Sequence, residues 1–327
     1  MKKKLFLIPF LGLFLAGCSF ELEDLKFWNY FLKKDNENES KLKYEEISKE
    51  QAATMLDAIE KKELTYESLP NEVTGTYVLE HESKAVDEEY SNYDSEFKIN
   101  MKTEFIKDPF YIYADEVYEG SRYKESGETW GYLNSSNEYI TVINDRIDDD
   151  KYYGVFDFEE VKNKGLIEQI IETEKELLQN EELMTVAKQF IGASENTNGN
   201  IFDGEFVYKG AGEGNLLIEY KGKIRNETEQ GEVDFSSSFC WENYFMKDVV
   251  VDFSGPSQTT ITTSHTNSGG ETETTTVSFM SSMKGKYEIH TEFKVSPRYP
   301  DLVQYTYKET SQDVPAVETH EDEDQRE

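Results

Sequence analysis

Cysteine is almost missing from this sequence: Cys18 and Cys240 are the only two among 327 residues. A scaffold stapled by several disulfides is therefore excluded. Histidine is nearly as scarce, and His81, His265, His290 and His320 fall in no metal-binding or catalytic spacing. The chain has no Gly-x-Ser-x-Gly elbow, no His-Glu-x-x-His helix and no Gly-x-x-x-x-Gly-Lys-Ser/Thr loop. No catalytic residue, metal site or cofactor is expected on these grounds, and the reading is non-enzymatic. Positive charge is short as well, since 34 Lys and Arg face 67 Asp and Glu for a formal net charge of −33. So acidic a chain repels phosphate backbones and anionic head groups, which argues against nucleic acid as a partner.

The positive charge that is present includes a cluster at the start. Lys2, Lys3 and Lys4 precede an uncharged apolar stretch from Leu5 to Leu15, the pattern of a secretory signal. That stretch is short of the roughly twenty residues a helix needs to span a bilayer, so export fits better than a permanent transmembrane anchor. It ends in Leu15-Ala16-Gly17-Cys18, which resembles the lipobox of bacterial lipoproteins. The resemblance implies cleavage between Gly17 and Cys18 and a diacylglyceryl thioether on Cys18. Two acyl chains hold a protein on a membrane far more firmly than one, so the expected location is the extracytoplasmic face of a cell membrane. Loss of the leader removes three lysines and takes the net charge from −33 to −36.

Four zones are expected: a signal peptide (1–17), a lipidated N-terminus and tether (18–46), an extracytoplasmic mainly-β domain (47–307) and an acidic disordered tail (308–327). Within the tether, Leu22, Leu25, Trp28 and Leu32 share a helical face that fits either the membrane interface or the surface of the domain.

The domain has two helical signals. Ser48 can cap a helix over 48–62 in which Ala52, Met55, Leu56 and Ile59 form a stripe, and a stronger pattern over 166–191 is interrupted near Gln179-Asn180. Elsewhere the period is two. Phe97, Ile99, Met101, Thr103 and Phe105 alternate with Lys98, Asn100, Lys102 and Glu104, a strand with one apolar and one wet face. Further strands are expected at 75–83, 110–118, 129–144, 204–208, 216–223, 232–239, 247–253, 259–266, 271–279 and 286–295. Asn134-Ser135-Ser136-Asn137 and Asn267-Ser268-Gly269-Gly270 read as turns. With 13 % aromatic residues, which favour strands and bury large areas, the fold class is α+β and mainly β. The expected architecture is a curved, half-barrel-like antiparallel sheet with helices packed on it, either one large sheet or two similar halves.

Cys240 lies in Ser238-Phe239-Cys240-Trp241 and reads as a buried thiol. The runs around Asp145-Asp150 and Asn196-Asp203 offer oxygen ligands but do not fit the twelve-residue calcium loop, which wants glycine at its sixth position and glutamate at its twelfth, so solvated turns are expected there. The order of helix, meander with Tyr-x-Tyr strands, inserted helices and returning meander resembles the half-barrels of LolA-like lipoprotein and lipid carriers. That resemblance implies an apolar groove between sheet and helices, with Phe97, Ile99, Met101, Ile112 and Trp130 as candidate lining and a lipid or other apolar molecule as ligand. One alternative is a cell-surface interaction or adhesion module, in which the Thr-rich hairpin of residues 259–276 and exposed tyrosines contact a protein or glycan, and an enzyme is the third reading.

Overall fold

A computed structural model describes residues 19–20, 42–120, 124–147, 149–192, 200–226, 232–266 and 272–308. The leader, the lipobox with Cys18, residues 22–32, the turn at 267–270, the loop at 196–199 and the acidic tail lie outside the described residues.

In chain order the elements are β1 (Ser19–Phe20), β2 (Glu45–Glu46), α1 (Lys49–Glu60), β3 (Glu72–Ala85), β4 (Ser95–Ile106), β5 (Tyr111–Gly120), β6 (Lys124–Leu133), β7 (Glu138–Asp145) and β8 (Lys151–Asp157). Then follow α2 (Phe158–Val161), α3 (Ile167–Leu178), α4 (Glu181–Phe190), β9 (Asn200–Gly210), β10 (Leu216–Asn226), β11 (Val233–Glu242), β12 (Phe245–Thr266), β13 (Thr272–Glu292) and β14 (Thr306–Tyr307). The strands form one curved, open sheet in the order β14-β8-β7-β6-β5-β4-β3-β13-β12-β11-β10-β9-β2, with β1 beside β12. Two meanders, β3 to β8 and β9 to β13, are joined in the middle by the antiparallel pair β13 and β3. Among the described residues no helix is long and apolar enough to cross a membrane.

The helices cover one face. Ser48 caps α1 with a reciprocal pair of bonds: its Oγ accepts from the Gln51 N–H and the Gln51 side chain accepts from the Ser48 N–H. Ala52, Leu56 and Ile59 are then fully buried on the sheet. The chain kinks between α2 and α3 at Gly165, whose φ of 99° suits glycine. α3 ends at Leu178, and Asn180 caps α4 by accepting the Leu183 N–H at 3.1 Å. Phe190, at the end of α4, meets the rings of Phe202, Phe206, Tyr220, Phe235 and Phe239 at 5.4 to 6.1 Å between centroids. It pins the helical layer onto β9, β10 and β11.

Several strands bring glycine and an aromatic ring together on this face. A Cβ on Gly285 would overlap the Phe253 ring from the neighbouring strand, and one on Gly120 would come within 2.6 Å of the Tyr118 hydroxyl. Rings laid over glycine restore buried area where the backbone bends.

The opposite face is wet along the middle of the sheet and ordered by charge. In register across the strands stand Glu80 and Glu82 on β3, Lys284 and Lys286 on β13, Asp252 on β12, Asp234 on β11, Lys221 and Lys223 on β10, and Asp203 on β9. Lys284 faces Glu82, Lys286 faces Glu80 and Asp252, and Lys223 faces Asp234 and Asp203, while on the two acidic neighbours β12 and β11 Asp252 and Asp234 are each opposite a serine. Such pairing favours this strand order and register over slipped alternatives.

The far end of that face is covered by the chain after β13. The Trp130 Nε1–H donates to the Arg298 carbonyl at 3.1 Å, the Arg298 N–H donates to the Tyr111 hydroxyl at 3.2 Å, and Tyr299 packs edge-on against Tyr111 and Tyr132. This strap makes a second core with Ile106, Tyr113, Ile140, Val142 and Val295.

Two strands run longer than expected. Residues 247–253 and 259–266 are parts of the single strand β12, and 271–279 and 286–295 mostly of β13. Gly255-Pro256 and Gly285 look like breaks in sequence. Pro256, however, lies beyond Ser254, the last residue of β12 paired with β11, at an edge where a missing N–H is tolerated. Gly285 is roofed by Phe253.

Candidate functional site

Alternation decides where the five groove candidates sit. Phe97, Ile99 and Met101 follow one another on the helix-covered face of β4, each no more than 6 % exposed, within the same core as α1, α3 and α4. Ile112 pairs with Phe105 and packs against that core. Trp130 pairs with Tyr113 on the other face, under the strap. The reading of these five as one groove lining is corrected accordingly: four belong to a helix-filled interior and Trp130 faces away from it.

The candidate chemical groups are likewise separated. Cys240 lies beside the Tyr44 hydroxyl at 3.5 Å, and burial pushes its thiol up to about 11, which keeps it protonated at neutral pH. His81 is buried against the Phe97 ring, and loss of hydration pulls it down to about 4. His290, on the wet face, bonds to the Asp248 carboxylate, which raises its affinity for a proton. Among the described residues no three His, Cys, Asp or Glu side chains are grouped so as to hold a metal ion. The side chain of His265 and the whole of His320 lie outside the description.

Two concavities stand out among the described residues. The larger, of about 980 Å³, crosses the strands from Glu96 and Lys98 to Lys221 and Lys223, and is lined by the charged rows together with His81, Phe97, Phe235 and Phe253. Its lysines and carboxylates belong to the charge order already described, and Phe97, Phe235 and Phe253 belong to the core under the helices.

The second lies where the sheet gives way to a projection. β12 pairs with β11 only as far as Ser254, and β13 pairs with β3 only as far as Ser281. Beyond those residues the two strands continue together, Gln258 opposite Met280 and Thr266 opposite Thr272. They form a two-stranded ribbon that reaches roughly 30 Å past its neighbours at about 3.3 Å per residue. The ribbon is the Thr-rich hairpin singled out in the sequence. Among the described residues only Ser19–Phe20 pairs along it, with Thr260 and Ile261.

A two-stranded ribbon is marginal in water unless something packs on it. Here the support is the 3-10 turn Glu88–Tyr93, whose Tyr90 and Tyr93 rings stack on Phe279 at 5.1 and 5.5 Å. The Val86 N–H donates to the Met280 carbonyl at 2.9 Å and closes the junction. Between turn and ribbon lies a cleft of about 480 Å³ lined by Val86, Asp87, Glu88, Tyr90, Phe279 and Met280. Val86 is 69 % exposed, an aliphatic side chain left in water beside a stack of rings. Sequence periodicity missed this cleft because residues 86–94 form only a short 3-10 turn with no buried stripe. The available signal was the pair of tyrosines in a strongly acidic turn.

Models of known protein families and curated proteins were both compared with the chain, and neither gave a match.

Proposed function

We propose that the protein is a membrane-anchored, non-catalytic interaction module that works outside the cytoplasm, tethered through lipid on Cys18, and that captures a protein partner through the β12–β13 ribbon. The observation carrying this reading is the ribbon itself, which leaves the sheet that supports it and presents backbone edges beyond Ser254 and Ser281. Exposed strand edges are a recurrent means of binding extended partners and a liability that proteins otherwise blunt. The lipid-carrier reading draws less support, because the helix-covered face is packed with side chains from both layers.

Residues 260–278 replaced by Asn-Gly would leave the Thr259 and Phe279 pair as the last rung of a short hairpin. Such a variant should melt within a few degrees of the parent, stay on the membrane, and lose partner capture from intact cells. Undiminished capture would count against the ribbon. A Cys18→Ser variant should release the protein from the membrane and abolish incorporation of labelled palmitate. A lipid copurifying with the mature chain in stoichiometric amount would favour the carrier reading instead.

A further inference from the structure

We propose that the cleft at the ribbon's root receives one large apolar side chain of a basic, extended polypeptide segment. The inference rests on the reading of the protein as an interaction module and names the chemistry of its partner. Three observations carry it.

The cleft is lined by Phe279 and Met280 of the ribbon and by Val86, Asp87, Glu88 and Tyr90 of the turn, so apolar side chains and two carboxylates meet in it. At about 480 Å³ it is at the small end of ligand-sized pockets, suited to a side chain rather than a folded surface. Its surroundings are acidic. The turn supplies Asp87, Glu88, Glu89 and Asp94, and neither residues 85–97 nor residues 255–283 contain a lysine or arginine. The nearest bases, Lys84 and Lys284, are both paired to Glu82. A negative rim around an apolar slot selects a cationic segment with an apolar anchor and disfavours an acidic one.

The third observation concerns access. β3 gives its last bond to β13 at Val86 and Met280, and beyond that point no described strand pairs with β13 on this edge, β12 lying along the other. An extended segment entering there continues the lane of β3 and brings alternate side chains over the cleft, the mode in which strand addition gives affinity and a neighbouring pocket gives specificity. The stacked rings argue against a sugar, since Tyr90 and Phe279 occupy each other's faces at 9° from parallel. An anionic bilayer is disfavoured by the carboxylates.

The test uses the full mature chain in detergent micelles and three fluorescent nonamers: Lys-Thr-Lys-Val-Phe-Val-Lys-Thr-Lys, the same peptide with Glu for every Lys, and the same peptide with Ser for Phe. The first should bind, weakening as salt rises. The Glu peptide should show no binding, and the Ser peptide should bind at least tenfold more weakly. Val86→Lys, at a position 69 % exposed and so compatible with folding, should weaken the first peptide at least tenfold. Equal binding of the Phe and Ser peptides, binding of the Glu peptide, or indifference to Val86→Lys each overturns the proposal. The ribbon-shortened variant keeps Phe279 and the cleft. Peptide binding that survives shortening while capture on cells is intact in that variant removes the ribbon reading alone, whereas failed peptide binding beside ribbon-dependent capture removes the cleft alone.

Discussion

The rings of Tyr90 and Phe279 lie parallel within 9° at 5.1 Å between centroids, and this stack is where the projecting ribbon is fastened to the sheet. Aromatic pairs contribute about 0.5–1.5 kcal/mol beyond their buried area. Tyr90→Ala should therefore loosen the ribbon first. Amide hydrogen exchange in residues 272–280 should quicken severalfold, while amides of β10 and β11 keep their protection. Uniform acceleration across the sheet would mean that the turn supports the whole domain.

Gly285 is required by its neighbour. A methyl group there would collide with the Phe253 ring, which is 6 % exposed. Gly285→Ala should cost about 1–3 kcal/mol in urea unfolding, the usual range for overpacking. Combining it with Phe253→Leu should recover part of that loss, and strict additivity of the two would contradict the packing account.

Phe190 joins the helical layer to three strands through five ring contacts. Truncation of a buried phenylalanine costs about 3–5 kcal/mol. Phe190→Ala should lower the unfolding midpoint accordingly. A change below about 1 kcal/mol would show that α4 is not held by this residue.

The helical layer also holds a pH-dependent element. Glu174 on α3 is 5 % exposed, its Oε2 has no hydrogen-bond partner among the described residues, and burial alone raises its carboxyl from 4.5 to about 8. A carboxyl raised on folding binds its proton more tightly in the native state, so its effect on stability is neutral below about pH 4.5. Stability then declines as pH rises between 4.5 and 8, and levels off above. Glu174→Gln should abolish that decline, and the difference between the two proteins isolates it from the general repulsion of an acidic chain. Parallel stability profiles from pH 5 to 8 would contradict it.

Much of the fold was legible because burial writes a period into a strand or helix. Ser48 with Ala52, Leu56 and Ile59 announced α1, the alternation from Phe97 to Phe105 announced β4, and Gln179-Asn180 marked the junction of α3 and α4. What escaped depends on contacts made by distant residues. β8 has little alternation, with Tyr152 and Tyr153 side by side. Gly255-Pro256 and Gly285 resemble punctuation and are tolerated only because one lies on an edge and the other beneath Phe253. The strap at residues 295–308 has no period, yet it places Arg298 over Trp130, and so decided that Trp130 would not face the helices. For the candidate site, the Thr-rich composition pointed to the hairpin. It gave no sign of how far β12 and β13 outrun their partners, since strand length depends on where pairing with β11 and β3 stops.

The claim on which the functional account turns is that the ribbon is the contact surface. A photo-crosslinking amino acid placed at Thr262 or Thr274 on the ribbon, and for comparison at the exposed Glu172 on α3, reports directly on which face meets another protein in intact cells. The account predicts discrete adducts from positions 262 and 274 that disappear when the protein is released by Cys18→Ser, and none from position 172. Adducts from position 172 alone, or no adduct from either ribbon position, would contradict it.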